Sequence, residues 1–174
     1  MEAAGHDLYG EARTVDAMAP REARILDAGC GPGRHAGWLH QRGHRVVGVD
    51  VDPVLIAAAQ EDHPGPAFLV GDLAELDLPS QGIEADFDII LSAGNVMSFL
   101  APSTRVDTLR RLKDHLTSGG RLVTGFGAGR GYDFTDFLSD AQVAELTPVL
   151  AFSTWDLRPW QPDSDFLVAV LTTA

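Results

Sequence analysis

Two acidic residues and a run of glycines are the parts of this 174-residue sequence best placed to act together. Ile25-Leu26-Asp27-Ala28-Gly29-Cys30-Gly31-Pro32-Gly33-Arg34-His35 reads as a strand, a glycine turn and the opening of a helix. Glycines let the chain turn sharply and let a ligand reach main-chain N–H groups, while a helix N-terminus favours an anionic group. Such a turn either binds a nucleotide-like ligand or serves as a plain connection. Asp50 follows Gly29 by 21 positions and closes the next strand, where a carboxylate can accept hydrogen bonds from both hydroxyls of a ribose. Asp72, in Val70-Gly71-Asp72-Leu73, stands just past a third strand on the same edge and could accept from an adenine amino group. A dinucleotide fingerprint G-x-G-x-x-G starting at Gly29 requires glycine at position 34, which is Arg34. The ribose acid is therefore common to two cofactor classes, but the turn is not of the dinucleotide type.

The elements that must carry these residues alternate in one rhythm. Aliphatic or β-branched runs open at Arg24, Arg45, Ala67 and Phe87, spaced 21, 22 and 20 positions apart, and a fifth opens at Arg121. That spacing fits a strand plus a crossover helix. Asp52-Pro53 predicts an N-cap and first helical position after the second strand. Arg105 to Leu116 predicts a helix with Val106, Leu109, Leu112 and Leu116 on one face, stopped by Gly119-Gly120. A helix is expected from about Glu11 to Ala19, and a short one around Asp140 to Leu146. Two closing strands, Leu150–Leu157 and Phe166–Leu171, are separated by too few residues for a helical crossover, so the last should run antiparallel to its neighbour. Alternating strands and helices imply the doubly wound α/β class with both sheet faces covered.

Length suits one domain on a prior of roughly 150 residues per domain. Thirteen Lys+Arg against 25 Asp+Glu give a net charge of -12, a field that repels a phosphate backbone, so no nucleic-acid partner is expected. No apolar run approaches the roughly 20 residues needed to span a bilayer, and the acidic opening Met1–Asp7 does not read as an export signal. A single cysteine, Cys30, forbids an internal disulfide and a multi-cysteine metal site. A cytoplasmic setting with no membrane partner and no metal is expected. His40 and His44 have an i, i+4 spacing but no H-E-x-x-H around them, and read as a solvated helix end.

In order along the chain, five segments resemble the motifs of the class I S-adenosylmethionine-dependent methyltransferases, with likeness from about Gly10 to the end. They are Leu26–Gly33, Gly48-Val49-Asp50, Gly71-Asp72-Leu73, Phe87–Asn95 and Leu116–Val123. The resemblance implies a Rossmann-like seven-stranded sheet, mostly parallel with an antiparallel last strand and helices on both faces. It implies one methyltransferase domain over 1–174, with about 1–23 a helical cover and 24–174 the core. It also implies S-adenosylmethionine as cofactor. Ala28 and the turn residues Gly29, Cys30, Gly31 and Gly33 would hold its methionine part, and Asp50 the ribose. Val51 would face the adenine, Asp72 with the Leu73 N–H would meet its edge, and Ala93, Gly94 and Asn95 would lie by the sulfonium.

The reaction implied is methyl transfer to a small-molecule acceptor, in which alignment and exclusion of water matter most. His6, Tyr9 and Asn95 are the candidates for a catalytic part, with His35 at the start of the first crossover helix; His6, Tyr9 and His35 read equally as surface or packing residues. Asn95 occupies the place of an N-P-P-Y-type run, but Val96-Met97-Ser98 follows, which argues against a nucleic-acid base or glutamine amide as acceptor. Met97, Phe99, Trp155 and Trp160 either line an apolar acceptor pocket or pack in the core. Gly125 to Tyr132 reads as a lid from which Arg130 or Tyr132 meets substrate, and Cys30 as a small buried filler. Two other readings share part of the pattern: a nicotinamide-dependent oxidoreductase, which needs the glycine that Arg34 replaces, and a non-catalytic S-adenosylmethionine-binding module. Oligomeric state is not readable.

Overall fold

A computed structural model describes residues 7–173. In chain order the helices and strands are α1 (Gly10–Met18), β1 (Arg24–Ala28), α2 (Arg34–Gln41), β2 (Arg45–Asp50), α3 (Pro53–Asp62), β3 (Ala67–Val70), β4 (Phe87–Ser92), α4 (Val96–Phe99), α5 (Arg105–Asp114), β5 (Leu116–Gly127), α6 (Phe134–Val143), β6 (Leu146–Phe152) and β7 (Phe166–Thr173). The strands make one sheet in the order β3-β2-β1-β4-β5-β7-β6. β1 to β5 are mutually parallel, and β7 runs antiparallel to both β5 and β6.

Strand order reverses between β1 and β4, and at such a switch point the connections leave in opposite directions and open a crevice at the carboxyl ends of the strands. Alternate residues of the central strands feed two cores. Leu26, Ile90 and Leu122 pack with Leu109 and Leu112 of α5 and Phe137 and Ala141 of α6. Ile25, Ile89, Leu91 and Val123 pack on the other face with Val15 of α1, Ala36 and Leu39 of α2 and Ile56 of α3. Burial on both faces explains why β1, β2 and β4 read as continuous apolar runs.

Four boundaries differ from the sequence expectation. α5 ends at Asp114, before Leu116 and well before Gly119-Gly120. His115 terminates it: its Nδ1 donates to the Arg111 carbonyl (2.6 Å) and its Nε2 accepts from the Leu78 N–H (3.1 Å). Leu116 already pairs with Phe87, and the glycines accommodate an irregularity in β5 that shifts register between Phe87 and Ile89. α6 begins at Phe134, because Phe134 and Phe137 are anchored edge-on to Phe126. β6 occupies Leu146–Phe152, and the chain then turns, with Ser153 N–H donating to the Arg158 carbonyl (2.8 Å) and Leu157 at φ 69°. His44 is buried rather than solvated: it accepts from the Ala23 N–H (3.2 Å) and lies 2.8 Å from Asp16, tying α1 to the start of β2. Among the described residues no helix is long and apolar enough to cross a membrane, and no group of three or more His, Cys, Asp or Glu is placed to hold a metal.

Candidate active site

The glycine turn is built from the strand upward. After β1 the N–H groups of Gly29 and Cys30 both donate to the Val49 carbonyl (2.8 and 3.0 Å), binding the turn to the end of β2. Gly29 has φ 82°, and a β-carbon there would come within 2.5 Å of Val96 Cγ2, so glycine is required twice over. Gly33, also at φ 82°, starts α2 where a β-carbon would strike Phe68 and Ala59. Cys30 is buried, and burial pushes its thiol far above the ordinary range, which fits a filler and not a nucleophile.

Asp50 holds this turn. One carboxylate oxygen accepts from the Gly31 N–H (2.8 Å) and the other from the Asp52 N–H (3.0 Å), leaving a further lone pair on each for a ligand. Asp72 caps the turn Leu73–Glu75 through the Ala74 N–H (2.9 Å) with one oxygen, and its other oxygen is free of protein donors among the described residues. Asp50 and Asp72 line one compartment of about 480 Å³ together with Gly29, Val51, Leu73 and Phe99. Its apolar walls include two side chains left bare, Val51 (67% exposed) and Phe99 (76%).

A second compartment of about 490 Å³ adjoins the first and shares Gly29, Asp50, Val96 and Phe99 with it. Here the structure adds Asp27 and Arg34, to which sequence reasoning assigned no ligand role, and His35, which it offered as a candidate base or a packing residue. Asp27 is 1% exposed, and its Oδ2 has no partner. Burial raises its carboxyl to about 7; the Ala36 N–H pulls the other way, and the negative Asp50 adds to the rise. His35 is 8% exposed, and burial, reinforced by the Arg34 charge, lowers its imidazole to about 4. The Arg34 guanidinium lies 3.3 Å from His35 Nε2, so the ring proton sits on Nδ1, which has no partner. Asp27, His35 and Arg34 thus bring an unpaired carboxylate, a neutral N–H donor and a guanidinium to one compartment. The signal for Asp27 was in the sequence: an acid inside a strand that is otherwise buried and apolar.

Other candidates lie elsewhere. Ala93 and Gly94 line the second compartment, and Asn95 follows at φ 61° with its Oδ1 accepting from the Gly127 N–H (2.9 Å). Tyr9 stacks on Trp38 (centroids 6.1 Å apart), and no α1 residue lines either compartment, so α1 buttresses α2 instead of covering the crevice. His6 lies outside the described residues. Met97 is fully buried in the core. Trp155 packs over Gly125, and Trp160 packs against Phe134. The expected lid shrinks to residues 128–133, because Gly125–Gly127 belong to β5. Tyr132 is 1% exposed, stacked on Phe126 and donating to Asp140 (2.7 Å), so it cannot meet substrate; Arg130 is exposed.

Residues 25–120, over half of the chain, match the family model described as a methyltransferase domain. A TehB-like SAM-dependent methyltransferase of known structure from Corynebacterium glutamicum is 52% identical, superposes with a TM-score of 0.93, and matches over 99% of this chain and 91% of its own. The chain belongs to the class I S-adenosylmethionine-dependent methyltransferases. A Mycolicibacterium smegmatis relative assigned to the S-adenosylmethionine-dependent methyltransferases is 30% identical over 77% of this chain and 52% of its own. The CcbJ methyltransferase of Streptomyces caelestis, at 20% identity and TM-score 0.84 over 95% of this chain and 94% of its own, shares the methyltransferase fold. The chain spans about half the length, or less, of the curated relatives it matches.

Proposed function

We propose that this methyltransferase family member transfers the methyl group of S-adenosylmethionine to a small-molecule acceptor by in-line displacement, in a crevice at the carboxyl ends of β1, β2, β3 and β4. The observation that carries the reading is the convergence of Asp50, Asp72 and the Gly29 turn on one compartment, joined to a second that holds an unpaired buried carboxylate.

The residues fit the cofactor at both ends. In the second compartment, Asp27 Oδ2 has no protein donor and suits an ammonium, while His35 Nδ1–H and Arg34 suit a carboxylate, so the pair of compartments matches an amino acid joined to a nucleoside. Asp50 keeps lone pairs for the ribose hydroxyls, Asp72 for an adenine amino group, and the bare Val51 side chain for an adenine face. When bound, the cofactor supplies an electrophilic methyl on a positively charged sulfur that becomes neutral as the methyl leaves. The protein's part is then alignment and the exclusion of water. Gly29 and Gly33 let the main chain approach without a side chain in between, and Asp50 fixes the turn by holding the Gly31 N–H.

Calorimetric titration with S-adenosylhomocysteine and with NADH tests the reading. Binding of the first in the micromolar range, and none of the second, is the expected result. Tight NADH binding, or an Asp50→Ala variant that binds S-adenosylhomocysteine as well as the parent, refutes it.

A further inference from the structure

Four residues line both compartments: Gly29, Asp50, Val96 and Phe99. They form the neck that a ligand occupying both must cross. Three of them are fixed by the fold. Gly29 is bound to the end of β2 and lies against Val96, and Asp50 holds the Gly31 and Asp52 N–H groups. Phe99 is the exception. Its ring is 76% exposed, is packed in neither core and makes no aromatic pair among the described residues. Val96 and Phe99 stand three apart on α4 and so share a face, the one turned to the crevice, while Met97 points into the core. A single exposed apolar side chain is ordinary on a protein surface; its place at the neck is what distinguishes this one.

With the nucleoside in the first compartment and the amino acid in the second, as proposed above, the atom that crosses the neck is the sulfur joining them. In the methyl donor that sulfur is a cation with three carbon substituents and no N–H or O–H. It has no proton to give to a hydrogen-bond acceptor. The negative face of an aromatic ring suits such an ion, attracting a cation within about 6 Å of the ring centroid.

We infer that the Phe99 ring closes over the sulfonium and holds it by its π face, so that the site prefers the charged methyl donor to its neutral product; the inference rests on the methyl-transfer reading above. When the methyl passes to the acceptor, the S–CH₃ electron pair stays on sulfur. The charge is gone, and the ring's attraction goes with it. The contacts assigned to Asp27, Asp50 and Asp72 do not involve sulfur, so they are kept by donor and product alike. The ring therefore biases the crevice toward release of the spent thioether and uptake of fresh donor. The carboxylates favour the cation through their charge as well. The ring's share is isolated by changing its quadrupole while every charge on the protein stays the same.

Calorimetric Kd values for S-adenosylmethionine and S-adenosylhomocysteine, measured in parallel on the full chain, test this. Absence of S-adenosylhomocysteine binding to the parent overturns the cofactor reading and the present one together. Phe99→Leu keeps an apolar side chain and removes the π face, so the ratio of the two affinities should fall about three- to thirtyfold against the methyl donor. A ratio that changes by less than about threefold overturns the inference, whether both affinities fall together, as for a ring stacked on adenine, or neither changes, as for a ring that meets the acceptor. Phe99→Trp, with a stronger π face, should keep the parent's ratio or raise it; a fall as large as that in Phe99→Leu overturns the inference. Mono-, di- and trifluorinated phenylalanine at position 99 weaken the π face stepwise at nearly constant shape. S-Adenosylmethionine affinity should fall with each added fluorine while S-adenosylhomocysteine affinity stays level. Equal slopes for the two ligands, or no slope for either, overturn the ring's role and leave the cofactor reading intact. Because the ring is packed in neither core, these variants should keep the parent's midpoint in urea denaturation.

Discussion

With Asp27 as the partner of the cofactor's ammonium, as proposed above, cofactor affinity depends on pH. The Asp27 carboxyl is raised to about 7, chiefly by burial, so at pH 6 about one molecule in ten of the ligand-free protein has Asp27 ionised. If Asp27 receives the ammonium of S-adenosylhomocysteine, binding selects the ionised form. Apparent affinity then falls about tenfold at pH 6 and about a hundredfold at pH 5 relative to the plateau above pH 8. Asp27→Asn removes both the charge and the dependence: the profile becomes flat, and affinity at pH 8 drops about ten- to a hundredfold, the worth of one charge-assisted hydrogen bond. The ligand-free protein should show the opposite trend. The native state binds a proton more tightly than the unfolded chain, so Asp27 lowers stability as pH rises from about 4 to about 7, by an amount of order 4 kcal/mol. His35, lowered to about 4, stays neutral in the native state while the unfolded chain is protonated, and so adds stability as pH rises over roughly 4 to 6.5. The two oppose each other in one window, so the stability effect is read as the difference between parent and Asp27→Asn in urea melts at several pH values. Calorimetry from pH 5 to 8 decides the affinity claim. A parent protein with pH-independent S-adenosylhomocysteine affinity refutes the assignment of Asp27 to the ammonium.

Further outcomes follow from the same geometry. Gly29→Ala places a methyl 2.5 Å from Val96 at φ 82°; a loss of about 2–4 kcal/mol in urea denaturation and no measurable S-adenosylhomocysteine binding are expected. Asp50→Asn can satisfy only one of the Gly31 and Asp52 N–H groups, so cofactor affinity by calorimetry should fall at least about tenfold while the fold is kept. His44→Ala strands the Ala23 N–H in a buried position and should cost about 1–3 kcal/mol in chemical denaturation without changing cofactor affinity. Phe137→Ala, which removes a fully buried ring from the Phe126–Tyr132 cluster, should cost about 3–5 kcal/mol.

What the sequence revealed of this protein followed from how local each signal is. The strands of the parallel half could be read because each is buried on both faces and so spells an unbroken apolar run, and α3 because Asp52 and Pro53 mark its first turn within two residues. The glycine turn could be read because positive φ at Gly29 and Gly33 leaves almost no other residue type allowed. The end of α5 could not be read, since His115 stops that helix by bonding to Arg111 on one side and to the distant Leu78 on the other. The limits of α6 and β6 escaped for a similar reason: the aromatic cluster around Phe126 exists only once β5 and α6 have met. Tyr132 shows the same limit at the site. A tyrosine in a glycine-rich loop looks like a residue free to meet a ligand, yet the Arg105 guanidinium covers its ring at 3.8 Å and Asp140 takes its hydroxyl.

Arg130, three positions into the same connection, has the reverse character: its side chain is exposed. Arg105 donates to the Gly131 carbonyl (2.7 Å) and stacks on Tyr132, so the loop is anchored at its α6 end and its tip is held over Gly127. In the reading proposed above, the cofactor side of the crevice is held by main-chain geometry and by Asp27 and Asp50 on adjoining strands, features that any member of the fold can share. Arg105→Ala tests the anchor directly: with it gone, main-chain amides of residues 128–133 should exchange with solvent at least about tenfold faster, while S-adenosylhomocysteine affinity stays within about threefold. A loss of S-adenosylhomocysteine affinity as large as that in Asp50→Asn would show that the loop and the cofactor compartments are not separately built.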